Sequence, residues 1–224
     1  KNFNKKVKAF KSIHEVKNLL SSDIVIFAVK PQVAEEVLKD FLQYNFKNKT
    51  IFVSIIAGKK ISFFNHFLPN KNQIIRVMPN MPALVNQGVS CLIANQNVTK
   101  NNKNIINSLF LKVGKTFWLK KENDINKVTA ISGSGPGYIF LIVDAFEKAA
   151  NDLGLDKKIA RALVYQTFLG SVDLLLKDKL SAIELSNNIA IRGGTTEAAL
   201  KKFKKNNILK KVFKKAVKAA HDRS

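Results

Sequence analysis

The sequence predicts an α/β fold whose second half is entirely helical. Three observations carry that prediction. Short β-type runs alternate with helical segments up to about Leu119. The strand signal then stops, and every sizeable segment from Asn123 onward has helical periodicity. Finally, 224 residues with 46% hydrophobic content and sixteen phenylalanines are enough to bury a core. We place the boundary at Lys120–Glu122, giving units of residues 1–121 and 122–224.

In the first half, VKAF at 7–10 is a possible strand, followed by a helical stretch from Ile13 to Leu20. DIVIFAVK at 23–30 is nearly all apolar and β-branched and is closed by Pro31, as suits a parallel strand buried on both faces. Val33, Val37, Leu38 and Phe41 share one face of a helix over 33–41. TIFVSIIAG at 50–58 is a second buried strand ended by a glycine, and Ser62 to Leu68 is helical. QIIRVMPNMP at 73–82 is a strand broken by two prolines. VSCLIA at 89–94 and TFWL at 116–119 complete the strands, with a helix from Thr99 to Val113 between them. The alternation predicts a doubly wound layer.

In the second half, residues 138–149 are apolar almost all round, which requires burial on every side, centrally or against a second subunit. Asp156 caps a helix running to Lys177, and Ser181 with Glu184 forms a capping box. From Lys201 to Lys218, lysines interleave with Ile208, Leu209, Val212, Phe213, Ala216 and Val217 at helical spacing, predicting a buried stripe and a solvated lysine face.

The net charge of +22 is spread along the chain rather than gathered into a patch, so neither a specific nucleic-acid surface nor a membrane surface is expected. The single cysteine, Cys91, excludes an internal disulfide, fits a reducing compartment, and reads as a buried thiol. His14, His66 and His221 show no ligand spacing, so no metal is indicated. No stretch approaches the ~20 uninterrupted apolar residues of a membrane span, and no secretory signal opens the chain. A cytoplasmic protein is expected.

Two glycine-rich runs lead into helix-forming segments: ISGSGPGY at 131–138 and IRGGTTEAAL at 191–200. Each can place backbone N–H groups at a helix N-terminus, which favours anions such as a carboxylate. The second also sets Thr195 and Thr196 at the mouth of that anion site. As a local pattern the same residues equally describe an ordinary turn with an N-cap threonine. Ser132 and Ser134 lack a neighbouring base and read as helix caps rather than nucleophiles. No G-x-G-x-x-G turn precedes a helix in the first half.

Taken together, VIFAVKPQ (25–32), IIRVMPNMP (74–82), ISGSGPGYIF (131–140) and GGTTEAAL (193–200) resemble pyrroline-5-carboxylate reductase, in the family's order and over essentially the whole chain. The resemblance implies a Rossmann-like NAD(P)-binding domain followed by an all-helical dimerisation domain. Relative to the family, the first β-α-β unit with its glycine turn is missing, and the chain does not begin with methionine. The implied reaction is reduction of 1-pyrroline-5-carboxylate to L-proline, the last step of proline synthesis, with NADPH or NADH as cofactor. A homodimer or higher homo-oligomer through the helical domain is also implied.

By the same resemblance, Gly194, Thr195 and Thr196 bind the substrate carboxylate through their backbone. The Thr196 hydroxyl bonds the ring nitrogen as the catalytic contact. Glu122 lies next to the substrate, although by itself it reads as a solvent-facing carboxylate at a helix start. Ala28, Val29, Lys30 and Pro31 meet the cofactor's ribose and phosphate region, and Ile55, Ile56 and Ala57 its nicotinamide half. Asn188 contacts the cofactor, and Asn80 shapes the cofactor cleft. Two departures stand out: Ile191-Arg192 replaces the usual Ser-Pro, and Met81 replaces a threonine. The alternatives are a related imine reductase, or a truncated fragment acting only as a dimerising scaffold.

Overall fold

The computed structural model describes residues 7–46, 49–68 and 71–224. They form two compact units, one reaching from residue 7 to 133 with Ser224, the other residues 134–223.

The first unit is a five-stranded mixed sheet in the order β1-β2-β3-β4-β5. Its strands are β1 (Ile24–Phe27), β2 (Ile51–Ser54), β3 (Gln73–Met78), β4 (Gly88–Ala94) and β5 (Gly114–Trp118). Its helices are α1 (Ala34–Lys39), α2 (Ile61–Asn65), α3 (Lys100–Leu111) and α4 (Asp124–Val128). Strands β1, β2 and β3 are parallel, with Ile24 opposite Ile51 and Ile51 opposite Gln73. β4 runs antiparallel to β3, with Val77 opposite Leu92, and β5 is parallel to β4. The reversal makes the expected Rossmann-like α/β layer a mixed sheet. Only residues 79–87 join β3 to β4, too few for a parallel crossover, and Asn86 turns the chain with φ 59°. By contrast, α3 spans β4 to β5 as an ordinary crossover helix.

The strand alternation serves two faces. Ile51, Val53, Ile75, Val77 and Leu92 meet Ile106 and Phe110 of α3. On the other face, Phe27, Phe52, Ile74 and Ile93 pack with Leu38 of α1, Phe64 of α2 and Ile125 of α4. Phenylalanines dominate there: Phe27 stands edge-on to Phe41 at 5.0 Å and stacks on Phe64 at 5.7 Å between ring centroids. Each such fully buried ring stabilises the fold by roughly 1.5–3 kcal/mol. Cys91 is buried, as expected, and burial pushes its thiol pKa up.

Two early expectations fail. Residues 7–10 form no strand, and residues 13–20 hold two short 3-10 turns, Ile13–Glu15 and Leu19–Ser21, instead of one helix. Neither segment has enough apolar periodicity to bury a face: of the residues in these turns, only Leu19 is buried.

The ISGSGPGY run does not expose a capped helix start. After α4 a π turn, Thr129–Gly133, widens the backbone, and α5 (Gly135–Asp152) follows. Ser134 is already in right-handed helical geometry and makes no capping bond. Ser132 Oγ donates to Val128 O at 2.9 Å and Thr129 Oγ1 to Ile125 O at 2.7 Å. The Thr129 and Ser132 hydroxyls thus answer carbonyls around the wide turn rather than amides of a new helix, and with Ser134 making no capping bond, the capping roles expected of both serines are corrected.

The second unit continues with α6 (Lys157–Lys177), α7 (Ala182–Ile189), α8 (Thr195–Lys204) and α9 (Ile208–Arg223). Asp156 Oδ1 caps α6 by accepting from Lys158 N at 2.8 Å, and the Ser181–Glu184 capping box opens α7. α5 and α6 pack on each other through Ala150, Ala160 and Val164, with Phe146 and Phe168 edge-on at 6.4 Å. Within this chain Ala150, Ala160 and Val164 are the unit's buried apolar residues. The all-round burial expected for 138–149 and the buried stripe expected along 208–217 are not met within one chain: Leu141 is 69% exposed and Val212 56%. The helical stretches Asp124–Asp152 and Lys157–Lys177 are long and apolar enough to cross a membrane by length and composition, with mean hydropathy 1.2 and 1.3.

Candidate active site

Because β1 and β2 are parallel and in register, their C-terminal ends lie side by side, Phe27 opposite Ser54. The chain leaves the sheet there as Ala28–Pro31 and Ile55–Ala57. The ladder extends one residue further, Ile55 N donating to Phe27 O at 3.0 Å. Ala28, Lys30 and Ala57 are exposed, Val29, Pro31 and Ile55 half-buried. Ile56 differs: it is 2% exposed and its side chain belongs to the core, so only its backbone is available. Its N–H donates to Ser54 Oγ at 3.2 Å.

Asn80 follows β3 at the same edge of the sheet. Its Oδ1 accepts from Val89 N at 2.8 Å and its Nδ2 donates to Ser132 O at 3.0 Å. One side chain therefore pins three segments, and the prolines around it lie outside the strand, which ends at Met78. Met81 is 62% exposed in the turn that follows.

Glu122 is not a free solvent-facing carboxylate. Its Oε1 accepts from Ile61 N at 2.7 Å, capping α2, and from Arg76 Nη1 at 3.2 Å. Arg76 lies within β3 with its side chain 4% exposed. A guanidinium taken out of water needs such a partner. Arg76 was not foreseen as important, yet an arginine inside an apolar strand is itself the signal that a counter-charge must exist.

In the helical unit, Gly193 has φ 76° and Gly194 is the N-cap of α8. Thr195 and Thr196 are thus the first two helical residues, and neither threonine is the cap. With glycine at the cap there is no side-chain oxygen to satisfy the first amides of α8, which have no acceptor within the helix. Thr195 is exposed; Thr196 is half-buried and lines a cavity of about 270 Å³ with Ser171, Leu175, Ser186 and Ile189. Asn188 is an exposed residue of α7. Arg192 and Ile191 are exposed beside the glycines. Glu197, also unforeseen, accepts from Gly193 N at 2.9 Å. The Gly193 amide, then Lys201, hold its carboxyl below the usual range.

The strand ends, with exposed backbone and the cation of Lys30, fit one flank of an anionic, ribose-bearing cofactor at the position where α/β sheets bind ligands. The glycine turn that receives a pyrophosphate does not occur in this sequence, so these residues match the flank alone. Among the described residues no group of three or more His, Cys, Asp or Glu is placed to hold a metal.

Residues 122–224 match the family described as pyrroline-5-carboxylate reductase dimerisation. Pyrroline-5-carboxylate reductase of Haemophilus influenzae is 37% identical over 193 residues, covering 86% of this chain and 71% of that protein. A solved pyrroline-5-carboxylate reductase from Coxiella burnetii superposes with a TM-score of 0.81 at 39% identity, covering 91% of this chain and 75% of that one. The Plasmodium falciparum pyrroline carboxylate reductase, solved with NADP bound, gives a TM-score of 0.81 at 34% identity, covering 90% and 75%. At 37% identity over 71% of a curated relative and a TM-score of 0.81 to a solved one, the chain belongs to the pyrroline-5-carboxylate reductase family.

Proposed function

We infer that the chain carries out NAD(P)H-dependent reduction of 1-pyrroline-5-carboxylate to L-proline in proline biosynthesis. The observation that carries this is the family match running through a glycine-capped α8 with Thr195 and Thr196 at its first two positions. When bound, a reduced nicotinamide supplies the hydride that the C=N carbon accepts. The chain's own residues bind and orient. The amides of Thr195 and Thr196 take the substrate carboxylate, helped by the helix dipole, while the Gly194 amide bonds Ile191 O at 2.9 Å and shapes the turn before them. The Thr196 hydroxyl donates to the ring nitrogen and fixes the imine's orientation. Glu122, through Arg76 and the α2 cap, holds the sheet end from which Ile55–Ala57 emerge. Ala28–Pro31, Ile55–Ala57, Asn80 and Asn188 are assigned to the cofactor, and the substrate domain is taken to begin at residue 122.

A homodimer or higher homo-oligomer accounts for the apolar α5, α6 and α9 surfaces, which the helical unit does not cover by itself. That assignment, rather than a membrane, explains the high hydropathy of the two long helical stretches. A cytoplasmic location is the reading that a lone cysteine and a biosynthetic reaction support.

The test is oxidation of NADPH or NADH in the presence of the cyclic imine, with this chain and with a version extended upstream to its relatives' full length. Saturable turnover is expected from the extended form. A folded extended protein that binds NADPH but gives no turnover refutes the reaction. Failure to bind NADPH by calorimetry favours the scaffold reading.

A further inference from the structure

We propose that Glu197 is a positioning and selectivity residue for the carboxylate-binding amides of α8: it holds the Gly193–Gly194 turn and fixes a negative charge beside them. This rests on the reading that those amides bind the substrate carboxylate. Glu197 is the third residue of α8 and the one acidic residue of its first turn. A glutamate there ordinarily reaches back to the N-cap amide. Here the Gly194 amide is already taken by Ile191 O at 2.9 Å. Glu197 Oε2 reaches one residue further, to Gly193 N at 2.9 Å. Lys201 Nζ sits 3.3 Å from the same oxygen.

Two consequences follow. The bond closes a loop over Gly193, whose φ of 76° only glycine adopts freely, so the side chain stabilises the turn that aims the helix start. It also engages the carboxylate outside the helix, leaving the Thr195 and Thr196 amides to a ligand. The charge remains close by, partly offset by Lys201. Two carboxylates roughly 6 Å apart and screened as in bulk water repel enough to weaken binding about threefold. An anion of higher charge pays this penalty more than once, so the turn favours a monocarboxylate.

The two roles separate by substitution. Glu197→Gln keeps an acceptor for Gly193 and removes the charge, whereas Glu197→Ala removes both. The measurements are calorimetric binding of L-proline and of inorganic phosphate, and exchange of the Gly193 amide hydrogen by NMR in ligand-free protein. We expect the glutamine variant to bind L-proline about threefold tighter, with a larger gain for phosphate, and to keep Gly193 protected. The alanine variant is expected to bind L-proline about tenfold more weakly and to expose Gly193. Variants that shift affinity in the same direction, or a Gly193 amide indifferent to Glu197→Ala, overturn the proposal. If the wild type binds no L-proline while Gly193 stays protected, the carboxylate-site reading fails and the selectivity role with it. The exchange comparison still decides whether Glu197 holds the turn.

Discussion

Replacing Glu122 by alanine should destabilise the sheet unit far more than its position in a turn implies. The carboxylate answers Arg76, whose side chain is 4% exposed, and the backbone N–H of Ile61 at the start of α2. Removing one partner of a buried pair costs about 3–5 kcal/mol, because the other charge stays behind unpaired. The Glu122 side chain is 25% exposed, so water can enter and recover part of this. Adding about 1 kcal/mol for the lost α2 cap, a net cost of about 2–4 kcal/mol is reasonable. For a chain of this length that lowers the melting temperature by roughly 4–16 °C. Urea and thermal unfolding by circular dichroism, at one protein concentration, measure it. Glu122→Gln keeps an acceptor and should lose about half as much. The paired replacement Arg76→Met with Glu122→Leu should cost less than Glu122→Ala alone, since no charge is stranded. A loss under about 1 kcal/mol for Glu122→Ala, or a double variant as unstable as the single, refutes the reasoning.

Gly114 has φ 142° and a Cβ there would run into the Gly88 backbone, so Gly114→Ala should break the β4–β5 pairing and cost more than about 3 kcal/mol in urea unfolding. Thr196→Val, isosteric but without the hydroxyl, should lower kcat/KM about 10–100-fold while leaving NADPH binding unchanged; equal activity removes Thr196 from the chemistry. Glu184 has its pKa lowered by the Ser181 hydroxyl and amide. A carboxyl depressed in the folded state contributes stability that is fully present above its unfolded value and lost as pH falls through the folded one. Stability should therefore decline on the acid side of the ordinary glutamate range, and Glu184→Gln should flatten that part of the profile; an unchanged slope counts against the capping box.

What the sequence determined by itself was periodic and local. Apolar β-branched runs bounded by glycine, proline and polar residues marked β1, β2 and β4; β2 and β4 are buried on both faces, whereas β1 is the sheet's edge strand with Ile26 45% exposed, so the two-face burial expected for 23–30 is not met. Caps at Asp156 and Ser181 were legible because a cap bonds backbone only two or three residues away. The family was legible because its motifs are contiguous. The placement of Thr195 and Thr196 inside α8, with Gly194 as the cap, depended on one backbone turn that a Gly-Gly-Thr-Thr string permits in more than one register.

Tertiary structure decided whatever joins distant residues. Arg76 and Glu122 are 46 positions apart, and no local pattern pairs them; only the packing of the turn before α4 over the end of β3 does. The direction of β4 came from a connection too short to cross over, and around a π turn Ser132 became a back-bonding hydroxyl while Ser134 makes no capping bond. The stripe on α9 and the apolar surface of α5 carry the hydrophobic periodicity of buried faces yet stand exposed in one chain. Periodicity records which faces must leave water, because it is fixed by side-chain chemistry. Which surface meets them is fixed by three-dimensional neighbours, which a linear pattern does not encode.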